Sequence, residues 1–172
     1  MKANVIFGAF FFLCLVSCRS PKAEVFKEAV VQKERVAFGI ILDKNGPETK
    51  KLECLVKNDY KCALQAVDQQ AKEFDKLITD LEGLKADDFK EGQSLKDAAL
   101  NYYKALKALH FFDRKEIEQQ ILIHEANNHQ LKMGQDSLIE LARRKKYLYT
   151  KVYEQESLLS TAFKKFDIAN GL

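Results

Sequence analysis

Apolar residues recur along most of this chain at the three- and four-residue intervals of an α-helix. The most regular stretch is Tyr60, Leu64, Val67, Ala71, Phe74, Ile78 and Leu81, which keeps a strict four-three alternation and predicts one helix with a single apolar seam. Asp59 or Asn58 stands where that helix needs a cap, and the pattern frays near Gly83. Upstream, Val25, Phe26, Ala29, Val30, Val36, Ala37, Ile40 and Ile41 predict a helix from about Ala23 to Lys44. Asn45-Gly46-Pro47 interrupts it, and a short helical segment follows from Glu48 to Lys57. Lys85 to Gln93 reads as a polar connection holding Phe89. Ser94-Leu95-Lys96-Asp97 resembles a capping box, and Leu95, Ala99, Tyr102, Leu106 and Leu109 form a second four-three seam. That seam slips near Phe111-Phe112-Asp113, which predicts a kink or a short break, and resumes at Ile117, Ile121 and His124. Asn127-Asn128 and Gly134 read as the next connection. A last helix is expected from about Asp136 to Ala169, with Lys145 and Gln155 breaking its seam. The expected fold is all-α: an up-down four-helix bundle with an additional short helical segment, over 23–172.

One apolar stretch has no such period. Val5 to Val16 is an unbroken run of twelve behind Lys2. Twelve residues are too few for a spanning helix, which needs about 20, and a short apolar run behind a positive start has the form of a signal peptide. The run ends in Leu15-Val16-Ser17-Cys18, which resembles the lipobox of bacterial lipoproteins. The resemblance implies cleavage after Ser17, a diacylglyceryl group on the Cys18 thiol and an acyl group on its amine. Residues 1–17 are then the signal peptide and 18–22 a lipidated tether of roughly 17 Å. Two or three acyl chains hold a protein firmly at a bilayer. The competing reading is a plain secretory leader, or a short anchor, with an incidental cysteine. Arg19, being non-acidic, resembles the residue that permits transfer to the outer membrane in enterobacterial lipoproteins.

Composition adds limits. There is no tryptophan, Pro21 and Pro47 are the only prolines, and the slight positive net charge of +3 says little about partners. No nucleic acid is expected outside the inner membrane. The envelope permits disulfides, which leaves two readings of Cys54 and Cys62. In one continuous helix they would stand about 12 Å apart along the axis, too far to bond. If Lys57-Asn58-Asp59 is a turn, they flank it and can pair. Otherwise they are two small core residues.

Catalytic patterns are missing. His124-Glu125 and His129 resemble the H-E-x-x-H metal helix, but the histidines are five apart, about 140° round a helix. A turn at Asn127-Asn128 would be needed to bring His124, Glu125 and His129 to one metal. Glu-x-x-His, C-x-x-C-H, G-x-S-x-G and Walker patterns are absent from the sequence. Neither an enzyme nor a cofactor beyond the covalent lipid is expected. Arg143-Arg144-Lys145-Lys146 is the densest basic run. Its plain reading is a solvated, partly snorkelling patch; its functional reading is contact with acidic headgroups or an acidic partner. Core packing is the default reading of the aromatic residues; the alternative, for Tyr103, Phe111 and Tyr153 off the seams, is an exposed binding patch.

Asn58-Asp59-Tyr60-Lys61-Cys62-Ala63 and the stretch from Gln93 to Lys104 (QSLKDAALNYYK) resemble a family of uncharacterised helical surface lipoproteins of Gram-negative and related diderm bacteria. That resemblance implies a surface or periplasmic location and carries no activity. The expected function is a membrane-anchored structural or interaction module of the cell envelope, held by its lipid and binding a protein partner there or outside the cell. The alternative is an envelope binding protein for a lipid, a small apolar ligand or a metal.

Overall fold

The chain is described from a computed structural model that covers residues 20–125 and 128–172, the side chains of 128–130 excepted. Cys18 and its acylation lie outside the described residues, as does the His129 side chain. All regular structure in the described residues is α-helical: α1 (Pro21–Leu42), α2 (Pro47–Val56), α3 (Tyr60–Glu82), α4 (Gly92–Phe111), α5 (Asp113–His124) and α6 (Asn128–Asn170).

Local chemistry sets the boundaries. Ser20 Oγ accepts from the Ala23 amide at 3.3 Å, and Pro21 occupies the first helical position, where its missing N–H costs nothing. Asp43 closes a turn by accepting from the Asn45 amide, and Pro47 restarts the helix. Asn58 takes a left-handed conformation (φ 56°), and Asp59 Oδ1 then accepts from the Cys62 amide at 3.0 Å as the cap of α3. This turn folds α2 back on α3. It brings the Cα atoms of Cys54 and Cys62 to 5.7 Å, and the structure joins the two as a disulfide. At the other end of α3, Lys96 Nζ donates to the carbonyl oxygens of Glu82 and Leu84, both at 2.7 Å, satisfying the open end of the helix.

Ion pairs give the relative directions. Asp68, Asp75 and Glu82 pair with Arg114, Lys107 and Lys104, so α3 runs antiparallel to α4 and α5. Asn170 donates to Lys90 O and Lys145 pairs with Asp113, so α6 runs antiparallel to both as well. The start of α1 lies beside the end of α6. There Phe26 and Phe166 are 5.5 Å apart between ring centroids, and Lys27 Nζ donates to Asp167 at 2.8 Å.

The apolar interior is divided. The larger core joins residues such as Phe26, Val30, Phe74, Leu77, Leu95, Tyr103 and Phe166. A smaller one, under the α2–α3 turn, joins Cys54, Ala63, Val67 and Ile117.

Several expectations are corrected. α4 begins at Gly92, so Ser94 stands inside the first turn and makes no capping box; the N-cap residue is Glu91, in the left-handed region at φ 57°. The cause is the preceding loop. It folds back so tightly that a Cβ on Gly92 would lie 2.3 Å from the Ala86 carbonyl oxygen. The interruption expected near Asp113 is present, as a break at Phe112 that separates α4 from α5. α6 starts at Asn128 and runs straight through Gly134. That glycine is a packing residue, because a Cβ there would meet Ile123 Cγ1 at 2.6 Å. Tyr103 is 2 % exposed and belongs to the core, whereas Phe111 and Tyr153 are exposed.

Candidate functional site

Between the two apolar cores lies a layer of charge. On α3, Gln70 separates the smaller-core residue Val67 from the larger-core residue Phe74. On the α4–α5 segment, His110 and Asp113 likewise separate Leu109 from Ile117. α2 contributes Glu48 and Lys51, one helical turn apart and so on the same face. α5 adds Glu116, and α6 adds Lys145.

These groups satisfy one another. Lys51 Nζ lies 2.6 Å from Glu48 Oε1 and pairs also with Asp113 Oδ2. Lys145 Nζ bridges Asp113 Oδ1 and Glu116 Oε2, both at 2.6 Å. Gln70 Nε2 donates to Glu48 Oε2 at 3.0 Å, and His110 Nδ1 stands 3.4 Å from the same oxygen. The His110 ring stacks on Phe74 with centroids 5.9 Å apart. Burial pushes the Glu48 carboxyl upward, but hydrogen bonds from His110, Lys51 and Gln70 outweigh it and hold the group at about 2. Burial likewise opposes the charge of Lys145, and its bonds to Asp113 and Glu116 reverse the sign, raising its pKa. Lysines buried this deeply are rare unless paired, and Lys51 is 4 % exposed. A hollow of about 240 Å³ adjoins the layer, walled on its apolar side by Leu52, Leu55 and Ile117.

Three carboxylates, Glu48, Asp113 and Glu116, face two ammonium groups, Lys51 and Lys145. Glu48, His110 and Asp113 each place a ligand atom within 4.8 Å of the others. An imidazole with two carboxylates suits a borderline divalent ion such as zinc. Both carboxylates, however, already hold Lys51, and an incoming cation would have to displace that ammonium.

The residues singled out from sequence are dispersed. His124 ends α5 with its ring 5.9 Å from Tyr60, and Glu125 follows as the C-cap. Neither stands in the group that could hold a metal. The basic run on α6 divides. Lys145 turns inward to Asp113 and Glu116 and does not belong to a surface patch. Arg143, Arg144 and Lys146 stay exposed. Glu140 pairs with Arg144 at 3.2 Å and with Arg143 at 3.8 Å. Together with Phe112, Lys115 and the exposed Tyr147 these arginines border an open hollow of about 550 Å³. Among the described residues no helix is long and apolar enough to cross a membrane.

The charge layer was not legible from sequence, because its members come from five helices and each reads as a surface polar residue. The one signal was Lys145, which interrupts the seam of α6. No protein-family model, curated protein or solved structure matches this chain.

Proposed function

We propose that this protein is a lipid-anchored interaction module of the bacterial cell envelope, with an up-down bundle whose α6 face binds an acidic protein partner. The bundle reading is supported by the antiparallel pairings above: α1 with α2, then α3, then α4 with α5, then α6 alternate in direction. The anchor reading rests on Leu15-Val16-Ser17-Cys18 at the end of a twelve-residue apolar run. The acyl chains would hold the protein at its membrane, and the outer membrane is the location favoured by Arg19.

The observation that carries the partner reading is the basic and aromatic surface formed by Lys115, Arg143, Arg144 and Tyr147. Arginine and tyrosine are the residue types that dominate interface energetics. Position selects protein over headgroups. A lipid on Cys18 pins the start of α1, which lies beside Phe166. Arg144 is twenty-two residues back along α6 from Phe166, about 33 Å at 1.5 Å per residue. Headgroup attraction fades within a Debye length of about 8 Å, so this surface points to partners away from the anchoring bilayer.

Charge reversal tests the reading. In cross-linked membranes, Arg143→Glu with Arg144→Glu should abolish a specific adduct formed by the unaltered protein, while Lys165→Glu elsewhere on α6 leaves it intact. An adduct pattern indifferent to the reversal, or binding of the unaltered protein to anionic vesicles alone, would contradict it.

The metal alternative keeps one favourable observation, the approach of Glu48, His110 and Asp113. The occupation of their oxygens by Lys51 and Lys145 makes an internally paired structural layer the stronger reading of that site.

A further inference from the structure

A second hollow, of about 430 Å³, opens between α1 and α6 beyond the Phe26–Phe166 contact, with α4 as its floor. Its apolar walls are Val30 and Val31 from α1 and Leu159 and Phe163 from α6; the floor is the Tyr102–Tyr103 pair, edge to face at 5.1 Å. Its volume falls in the range of small-molecule sites.

Several polar groups in it, the Lys164 ammonium among them, form no ion pair or hydrogen bond among the described residues. Glu34 on α1 and Glu156 on α6 line opposite sides, and among the described residues neither forms an ion pair or a hydrogen bond. Tyr103 is 98 % buried, counting its 2 % exposure, and no described group bonds its hydroxyl. On α3 the carboxylates of Asp80, Glu82 and Asp75 are each paired with a lysine, in Lys33–Asp80, Lys104–Glu82 and Lys107–Asp75. Ser160, Lys164 and Asp167 complete the rim, Asp167 being taken by Lys27. With Lys27 counted, three carboxylates face two ammonium groups, so the hollow is one negative charge in excess. Burial, with Tyr102 and Glu34 beside it, raises the Tyr103 pKa, so the phenol stays protonated.

We propose that this groove binds a small organic cation with an apolar body, such as an arylalkyl ammonium, its charge between Glu34 and Glu156 and its body on Tyr102 and Tyr103. Each part of the ligand follows from a wall. Aromatic faces attract cations, the two carboxylates supply acceptors, and the Tyr103 hydroxyl supplies one more. An anionic amphiphile would face the excess negative charge and is disfavoured. The inference is independent of the lipid anchor and of the α6 surface.

The test uses the full chain labelled with fluorotyrosine, followed by fluorine NMR. Phenethylammonium is the probe, and 3-phenylpropionate, of similar shape and opposite charge, is the control. The expected result is a saturable shift of the Tyr102 and Tyr103 resonances with the cation and none with the anion. Glu34→Gln with Glu156→Gln should weaken binding about tenfold. Tyr103→Phe, which keeps the ring and the packing, should weaken it a few-fold. Equal binding of both probes, an affinity unmoved by the glutamine pair, or shifts confined to other tyrosines would overturn the proposal.

Discussion

Lys51 shows how much depends on single side chains. Its ammonium is buried against Glu48 and Asp113, and removing one member of a buried ionic group leaves the others without compensation. Lys51→Met should therefore cost about 3 kcal/mol in urea unfolding. Adding Asp113→Leu should restore part of that loss, because the orphaned charge goes too. Glu48 makes the matching prediction with pH. Its folded pKa of about 2 lies below the ordinary 4.5, so its contribution is complete above about 4.5 and is lost as the pH falls from there towards 2. Full protonation should remove about 3 kcal/mol. Glu48→Gln should flatten that part of the stability profile.

Among elements, the α2–α3 hairpin and the entry to α4 are the most constrained. The Cys54–Cys62 link closes a short loop, and its reduction, or Cys54→Ser with Cys62→Ser, should lower stability by about 2–3 kcal/mol. Gly92→Ala should cost about 2 kcal/mol or more, since its Cβ would meet backbone at Ala86 rather than a movable side chain. Thermal unfolding of both variants checks these values. The same elements show what the sequence could reveal. The α3 seam was legible because seven apolar residues kept one period, and the helix spans Tyr60–Glu82 as that period implied. Gly134 was misread because a glycine in a connection and a glycine that lets two segments approach look alike in one dimension. Tyr103 rather than Tyr102 takes the fully buried place on α4, because Ala99, Tyr103 and Leu106 fit helical spacing as well as Ala99, Tyr102 and Leu106 do; Tyr102 packs half-buried against the same core.

The whole molecule has a direction. The start of α1 and the end of α6 share one end, where the lipid would be attached; the hollow with Glu34 and Glu156 lies between these two helices, and the arginines of α6 stand farther back along that helix. The charge layer crosses the interior between two apolar cores and ties α2, α3, α4, α5 and α6 together. Such a layer favours one register of the helices over others, the role best attested for buried polar groups. In the proposed account, all of this would acquire an orientation relative to a membrane through an acylated Cys18. The decisive measurement is metabolic labelling of bacteria with an alkynyl fatty acid, followed by mass spectrometry of the purified protein. The account predicts label on a chain that starts at Cys18, and an unlabelled, uncleaved chain in Cys18→Ser. A mature protein without acyl groups, or label that persists in Cys18→Ser, would contradict it.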